Sequence, residues 1–96
     1  MGKYVMIWEA DDSKIPVDPQ ERKAGWQMAM EMTKQDIKDG KMKDWGVFAG
    51  QIRGFGIFEG TAEEVHAVSL KYIPFFSFQI YPMLSFDQAE KIVEAM

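Results

Sequence analysis

Cysteine is absent from this 96-residue chain, and His66 is its only histidine. The first absence excludes disulfides, thiolate nucleophiles and cysteine-ligated zinc. The second excludes a multi-histidine metal site within one subunit. The Asp and Glu residues show no calcium-loop spacing, so neither a metal nor a cofactor is expected. Basic residues are in the minority: 11 Lys and Arg stand against 15 acids, a formal net charge of −4. A protein that grips a phosphate backbone needs a basic footprint, so no nucleic acid is expected as a partner. Long apolar runs are missing as well. The opening Tyr4-Val5-Met6-Ile7-Trp8 meets Glu9 at once, too short a stretch for a signal peptide or a membrane span. The expectation is a cytoplasmic protein with no membrane partner.

Bulky apolar side chains are present in surplus. Hydrophobic residues make up 47% of the chain, with seven Phe, three Trp, three Tyr and eight Met. The length is that of one domain, residues 1–96. A chain this short buries a limited fraction of its surface. The excess is therefore expected in a subunit interface or a ligand cavity.

Lys3 to Ala10 is a run of β-formers with both faces apolar, which predicts a central strand covered on both sides. Asp11 to Val17 is polar and contains Pro16, a loop. Asp18-Pro19-Gln20-Glu21 opens a helix with an Asp N-cap and Pro at its first position. That helix is expected to run to about Asp39, with Trp26, Ala29, Met30, Thr33 and Ile37 on its buried stripe. Met28 and Met32 lie beside the stripe, either widening the buried face at a partner contact or standing as flexible surface methionines, and Gly40 supplies the stop. Trp45 to Gln51 and Phe55 to Glu59 read as a hairpin turning at Ile52-Arg53-Gly54. Thr61-Ala62-Glu63-Glu64 is a capping box for a second helix reaching about Tyr72. Its apolar arc holds Ala62, Val65, Val68, Tyr72 and Ile73, and Pro74 ends it. Phe75 to Leu84 alternates Phe76, Phe78 and Ile80 with Ser77, Gln79 and Tyr81, the pattern of a fourth strand, and Pro82 suits an edge. Ser85-Phe86-Asp87-Gln88 opens a last short helix with Phe86, Ala89, Val93 and Met96 as its buried stripe.

The order β-α-β-β-α-β predicts an α+β fold of ferredoxin-like topology with a short C-terminal helix. Two right-handed crossovers sharing one sheet give a four-stranded antiparallel sheet of order 4-1-3-2, with both helices on one face. The first strand is then central. The opposite face carries aromatics and no helix, so a second subunit is its expected cover, with Phe75, Gln79 and Tyr81 as interface candidates.

Several stretches carry a family resemblance: Tyr4-Val5-Met6-Ile7-Trp8-Glu9, Gly40-Lys41-Met42-Lys43-Asp44-Trp45-Gly46, Phe58-Glu59-Gly60 and Tyr72-Ile73-Pro74-Phe75-Phe76. Across nearly the full chain the layout resembles the dimeric α/β-barrel superfamily, whose subunits pack sheet against sheet. It is most similar to a small family of uncharacterised proteins there. Muconolactone isomerase and the cofactor-independent antibiotic-biosynthesis monooxygenases belong to the same superfamily. The resemblance implies a homodimer or higher assembly. No catalytic residue of those enzymes is carried over to a position here, and fold alone does not license function.

Arg53-Gly54-Phe55-Gly56 begins like an RNA-recognition signature. Ile57 and Gly60 then stand where aromatics belong, and Glu59 shares a face with Phe55. RNA binding is the least favoured alternative. The segment reads more simply as a hairpin in which Gly54 turns the chain and Gly56 permits close packing. The same glycines miss the dinucleotide fingerprint by one residue. His66, the chain's only imidazole and so its one residue of the type most used as a general base, is a weak candidate for that role at a cavity between helix and sheet, with Asp36 or Glu9 as a conceivable partner. Trp8, Glu9, Trp26, Trp45, His66 and Tyr72 are the candidate lining of a pocket for a small hydrophobic or aromatic compound; each aromatic is equally at home in a core. The reading is a ligand-binding homodimer of unknown activity. The alternatives are a cofactor-independent isomerase or monooxygenase, and a non-catalytic structural or regulatory protein.

Overall fold

A computed structural model of the chain describes residues 2–96. Four strands, β1 (Gly2–Ala10), β2 (Met42–Val47), β3 (Arg53–Gly60) and β4 (Phe76–Met83), form one antiparallel sheet. The strand order is β2-β3-β1-β4; counted from the β4 edge, that is 4-1-3-2. Among the described residues three α-helices accompany it: α1 (Pro19–Lys38), α2 (Ala62–Leu70) and α3 (Phe86–Glu94). Pro82 sits on edge strand β4, where a missing N–H costs no ladder bond on the open side.

The helix ends follow the local chemistry. The Asp18 carboxylate accepts from the Glu21 amide at the start of α1, and Thr61 and Ser85 head full capping boxes with Glu64 and Gln88. Each satisfies backbone donors that the first turn leaves orphaned. Gly40, with φ of 79°, stops α1. The hairpin departs from its sequence reading. β2 starts three residues earlier and ends at Val47, and the chain reverses over residues 48–52 around Gly50, whose φ is 76°. Gly54 lies inside β3, opposite Trp8 and Val47.

Tyr4, Met6, Trp8 and Ala10 share a sheet face with Phe58, Phe78 and Ile80, and α1 and α2 lie on that face. Met6, Met42, Phe58 and Val65 form its buried core. A bulge between Met42 and Asp44 lets Met42 and Trp45, three residues apart, both face the helices. Small residues make room. A Cβ on Gly56 would fall 2.7 Å from the Met42 sulfur, and one on Gly54 would fall 2.1 Å from the Gly46 carbonyl and 2.6 Å from the Trp8 ring.

Helix α1 is turned about its axis relative to expectation. Asp36 is 2% exposed while Ile37 is 50% exposed, and Met30 is half-exposed, reaching only the edge of a small cavity beneath the helix. The inward row is Trp26, Ala29, Thr33 and Asp36, because Asp36 finds its hydrogen-bond partners below the helix. The stripe of α3 is not buried. Phe86, Val93 and Met96 are all exposed, and no residue of α3 is buried. The helix projects, giving a body 57 × 26 × 19 Å with a radius of gyration of 15.5 Å, against about 12.5 Å for a compact chain of this length. No helix among the described residues is long and apolar enough to cross a membrane.

Candidate functional site

Between α1 and the sheet lies a layer of aromatic rings. The indoles of Trp8 and Trp45 stack with centroids 5.5 Å apart and planes 9° from parallel. Trp8 lies over Gly54 and donates from Nε1 to the Phe55 carbonyl at 3.3 Å. Phe76 meets Trp8, Trp26 and Tyr72 edge-on at centroid distances of 5.9, 6.3 and 5.9 Å, and Tyr72 meets Phe78 at 5.9 Å. Such edge-to-face contacts follow the ring quadrupoles. Rings of this bulk also hold α1 off the sheet, and the space they prop open is incompletely filled.

Cavities result, and a larger and a smaller one adjoin the ring layer. The larger, about 150 Å³, lies where α1, the residue 11–17 loop and the start of β4 meet; its apolar walls include Ile15, Trp26, Met32, Phe75 and Phe76. The smaller, about 50 Å³, lies deeper, among Trp8, Trp45, Thr33 and Phe78. Trp26, Ala29, Tyr72 and Phe76 line both. The floor is fixed to the sheet by the Asp11 amide donating to the Phe75 carbonyl at 2.9 Å. An engineered apolar cavity of about 150 Å³ admits benzene, so the larger one has room for a single ring.

One polar cluster borders this layer. The Tyr72 hydroxyl donates to Asp36 Oδ2 at 2.7 Å, and Lys71 Nζ lies 2.5 Å from Asp36 Oδ1. The Thr33 hydroxyl is 3.4 Å from that of Tyr72. A buried carboxylate is tolerated here because both of its oxygens are occupied. Burial pushes the Tyr72 phenol above the ordinary tyrosine range; the Asp36 carboxylate adds to this and the Thr33 hydroxyl opposes it. The network ties α1 to the turn after α2.

The pocket residues expected from the sequence divide. Trp8, Trp26, Trp45 and Tyr72 come together around the cavities. Glu9 does not: it is exposed on the other sheet face, 3.5 Å from Arg53. His66 is exposed on α2 and lines neither cavity. Its two conceivable partners are engaged elsewhere, Asp36 by Tyr72 and Lys71, Glu9 by Arg53, so the geometry expected of a histidine base is not realised. Of the interface candidates, Gln79 and Tyr81 lie exposed on the open face, whereas Phe75 precedes β4 and lines the larger cavity. Missed from sequence were Lys14, Arg22, Met32 and Phe76 as lining residues. Trp26 on α1 was the available signal for Arg22, which lies four positions earlier on the same helix and so near its face.

A family model described as a domain of unknown function, DUF3303, matches residues 2–96. No curated protein matches the chain.

Proposed function

The chain belongs to the DUF3303 family, and from that premise we propose that it is a ferredoxin-like, self-associating protein that binds a small hydrophobic or aromatic compound between α1 and the sheet. The larger cavity carries this reading. It is apolar, wide enough for one ring, and reaches the surface beside a loop, the usual make-up of a small-molecule site.

Self-association rests on the other sheet face. At its centre Val5 is paired with Ile57 and Ile7 with Phe55, and the Phe55 ring lies across Gly46. Lys3 opposite Glu59 closes one end, and Glu9 opposite Arg53 closes the other. An apolar centre with charges of both signs around it, Asp44 beside Ile57 included, suits a two-fold contact between identical surfaces. From strand spacing and rise the face measures roughly 500 Å², short of the roughly 800 Å² per partner of a standard stable interface. The apolar stripe of α3, which projects from the body, supplies the remainder when it lies across the second copy.

Titration with neutral one-ring compounds, benzamide and toluene, tests the cavity. The Trp26 indole N–H resonance is expected to shift and the melting temperature to rise, and both responses are expected to vanish in Ala29→Phe, which fills the space. No shift at saturating ligand would sink the reading.

A further inference from the structure

Four charged residues line the larger cavity: Asp11, Lys14, Arg22 and Lys71. Three are cations, in a chain whose acids outnumber its bases by 15 to 11. Two of the four are already committed. Asp11 accepts from the Ser13 hydroxyl at 2.7 Å and from the Ser13 amide at 3.0 Å. Lys71 is held by the buried Asp36 carboxylate. Arg22 is different. Its only side-chain hydrogen bond among the described residues, from Nη1 to the Val17 carbonyl at 3.3 Å, uses one of five guanidinium donors. Neither Arg22 nor Lys14 makes an ion pair among the described residues. Lys14 stands on the loop that closes one side of the cavity, and Arg22 on the first turns of α1 that close another.

We propose that the cavity selects compounds with an acid group on a small apolar body, the ring entering among Trp26, Phe75 and Phe76 and the carboxylate meeting Arg22, with Lys14 beside it. This rests on the cavity being a ligand site and adds the chemical class of the ligand. The charge balance argues for it. A guanidinium matches a carboxylate with two parallel hydrogen bonds, and at the mouth of an apolar cavity that pair is screened less than it would be in open water. The volume limits the body to about one aromatic ring; Arg22 and Lys14 disfavour ligands bearing a cation at the same end, and the nearby Asp11, whose carboxylate is engaged by Ser13, opposes the anion less strongly than the cations favour it.

The test compares benzoate with its neutral isostere benzamide on the full-length protein, read by the Trp26 indole N–H in NMR titrations at low salt. Benzoate is expected to bind at least tenfold more tightly, with the advantage shrinking as salt rises. Arg22→Gln is expected to bring benzoate down to the benzamide affinity while leaving benzamide unchanged. Lys14→Gln is expected to weaken benzoate severalfold, and Lys23→Gln, next to Arg22 but not lining the cavity, is expected to have no effect. Equal affinity of the two compounds for the unaltered protein would overturn the acid preference and leave the cavity reading standing. Absence of any Trp26 shift with either compound would overturn both. Benzoate shifts confined to Arg22 and Lys14, without Trp26, would mean surface ion pairing only and would also reject the proposal.

Discussion

The Tyr72 hydroxyl donates to the buried Asp36 carboxylate at 2.7 Å, joining two residues 36 positions apart in the chain. This bond, with the Lys71 ammonium on the other carboxylate oxygen, fixes the rotation of α1 and therefore which of its residues face the cavity.

Tyr72→Phe keeps the ring contacts with Phe76 and Phe78 and removes one hydrogen bond to a charged group, so a loss of about 1–3 kcal/mol is expected. Asp36→Ala is expected to cost more, because it leaves both the Tyr72 hydroxyl and Lys71 without their partner. The double variant should lose less than the sum of the two. Urea unfolding of the four proteins checks this; strict additivity would mean that the two groups do not act together.

Two glycine substitutions should move stability in opposite directions. Gly54→Ala places a methyl 2.1 Å from the Gly46 carbonyl and 2.6 Å from the Trp8 ring, both parts of the packed sheet, and is expected to unfold the protein or cost several times a typical substitution's ~1 kcal/mol. Gly25→Ala, within α1 and with nothing inside 4 Å, is expected to stabilise by about 0.5–1 kcal/mol through helix propensity. Thermal melts of both variants decide it.

The Lys41 ammonium, and after it the Thr61 amide, hold the Glu64 carboxyl at a pKa of about 2, below its ordinary 4.5. A depressed folded-state pKa stabilises where the carboxylate is ionised in both states and is lost on acidification. The stabilisation should thus be complete above pH 4.5 and disappear as the pH falls towards 2. Glu64→Gln should flatten that part of the stability profile, and added salt should weaken the effect in the native protein, since the pair is half-exposed. A side-chain carbonyl NMR titration of Glu64 that gives an ordinary value would reject the prediction.

Light scattering tests the proposed assembly. Ile7→Lys, at the centre of the open face, and Val93→Glu, on the exposed stripe of α3, are each expected to shift a dimer towards monomer without loss of helix signal. A native protein that stays monomeric at high concentration would remove the assembly altogether. A dimer left intact by Val93→Glu would show that the α3 arm has no part in it.

Much of the fold was legible because it is written in local chemistry. Asp18, Thr61 and Ser85 cap the helices that follow them, and the two-residue alternation of Phe76, Phe78 and Ile80 lays out β4. The unbroken Tyr4–Trp8 run marks β1 as central. The hairpin turn was misplaced because Gly54 looks like a turn glycine, whereas its lack of a Cβ serves the Trp8 ring packed upon it; the left-handed turn residue is Gly50. Trp8, Trp26, Trp45 and Tyr72 were legible as a group, since large half-polar rings in a small domain have few places to go. A lone histidine such as His66 stands out by residue type, which says nothing of position.

Sequence alone determined the number, order and kind of elements, since capping, periodicity and strand-forming runs act over a few residues. The tertiary structure decided the inward row of α1, where a hydrophobicity pattern favours Ile37 and a partner 36 residues away favours Asp36. It also decided that rings propping α1 off the sheet leave a cavity, and that Arg22 meets its mouth. Those outcomes depend on contacts between distant segments, and no local pattern encodes which distant group will be there to accept a charge.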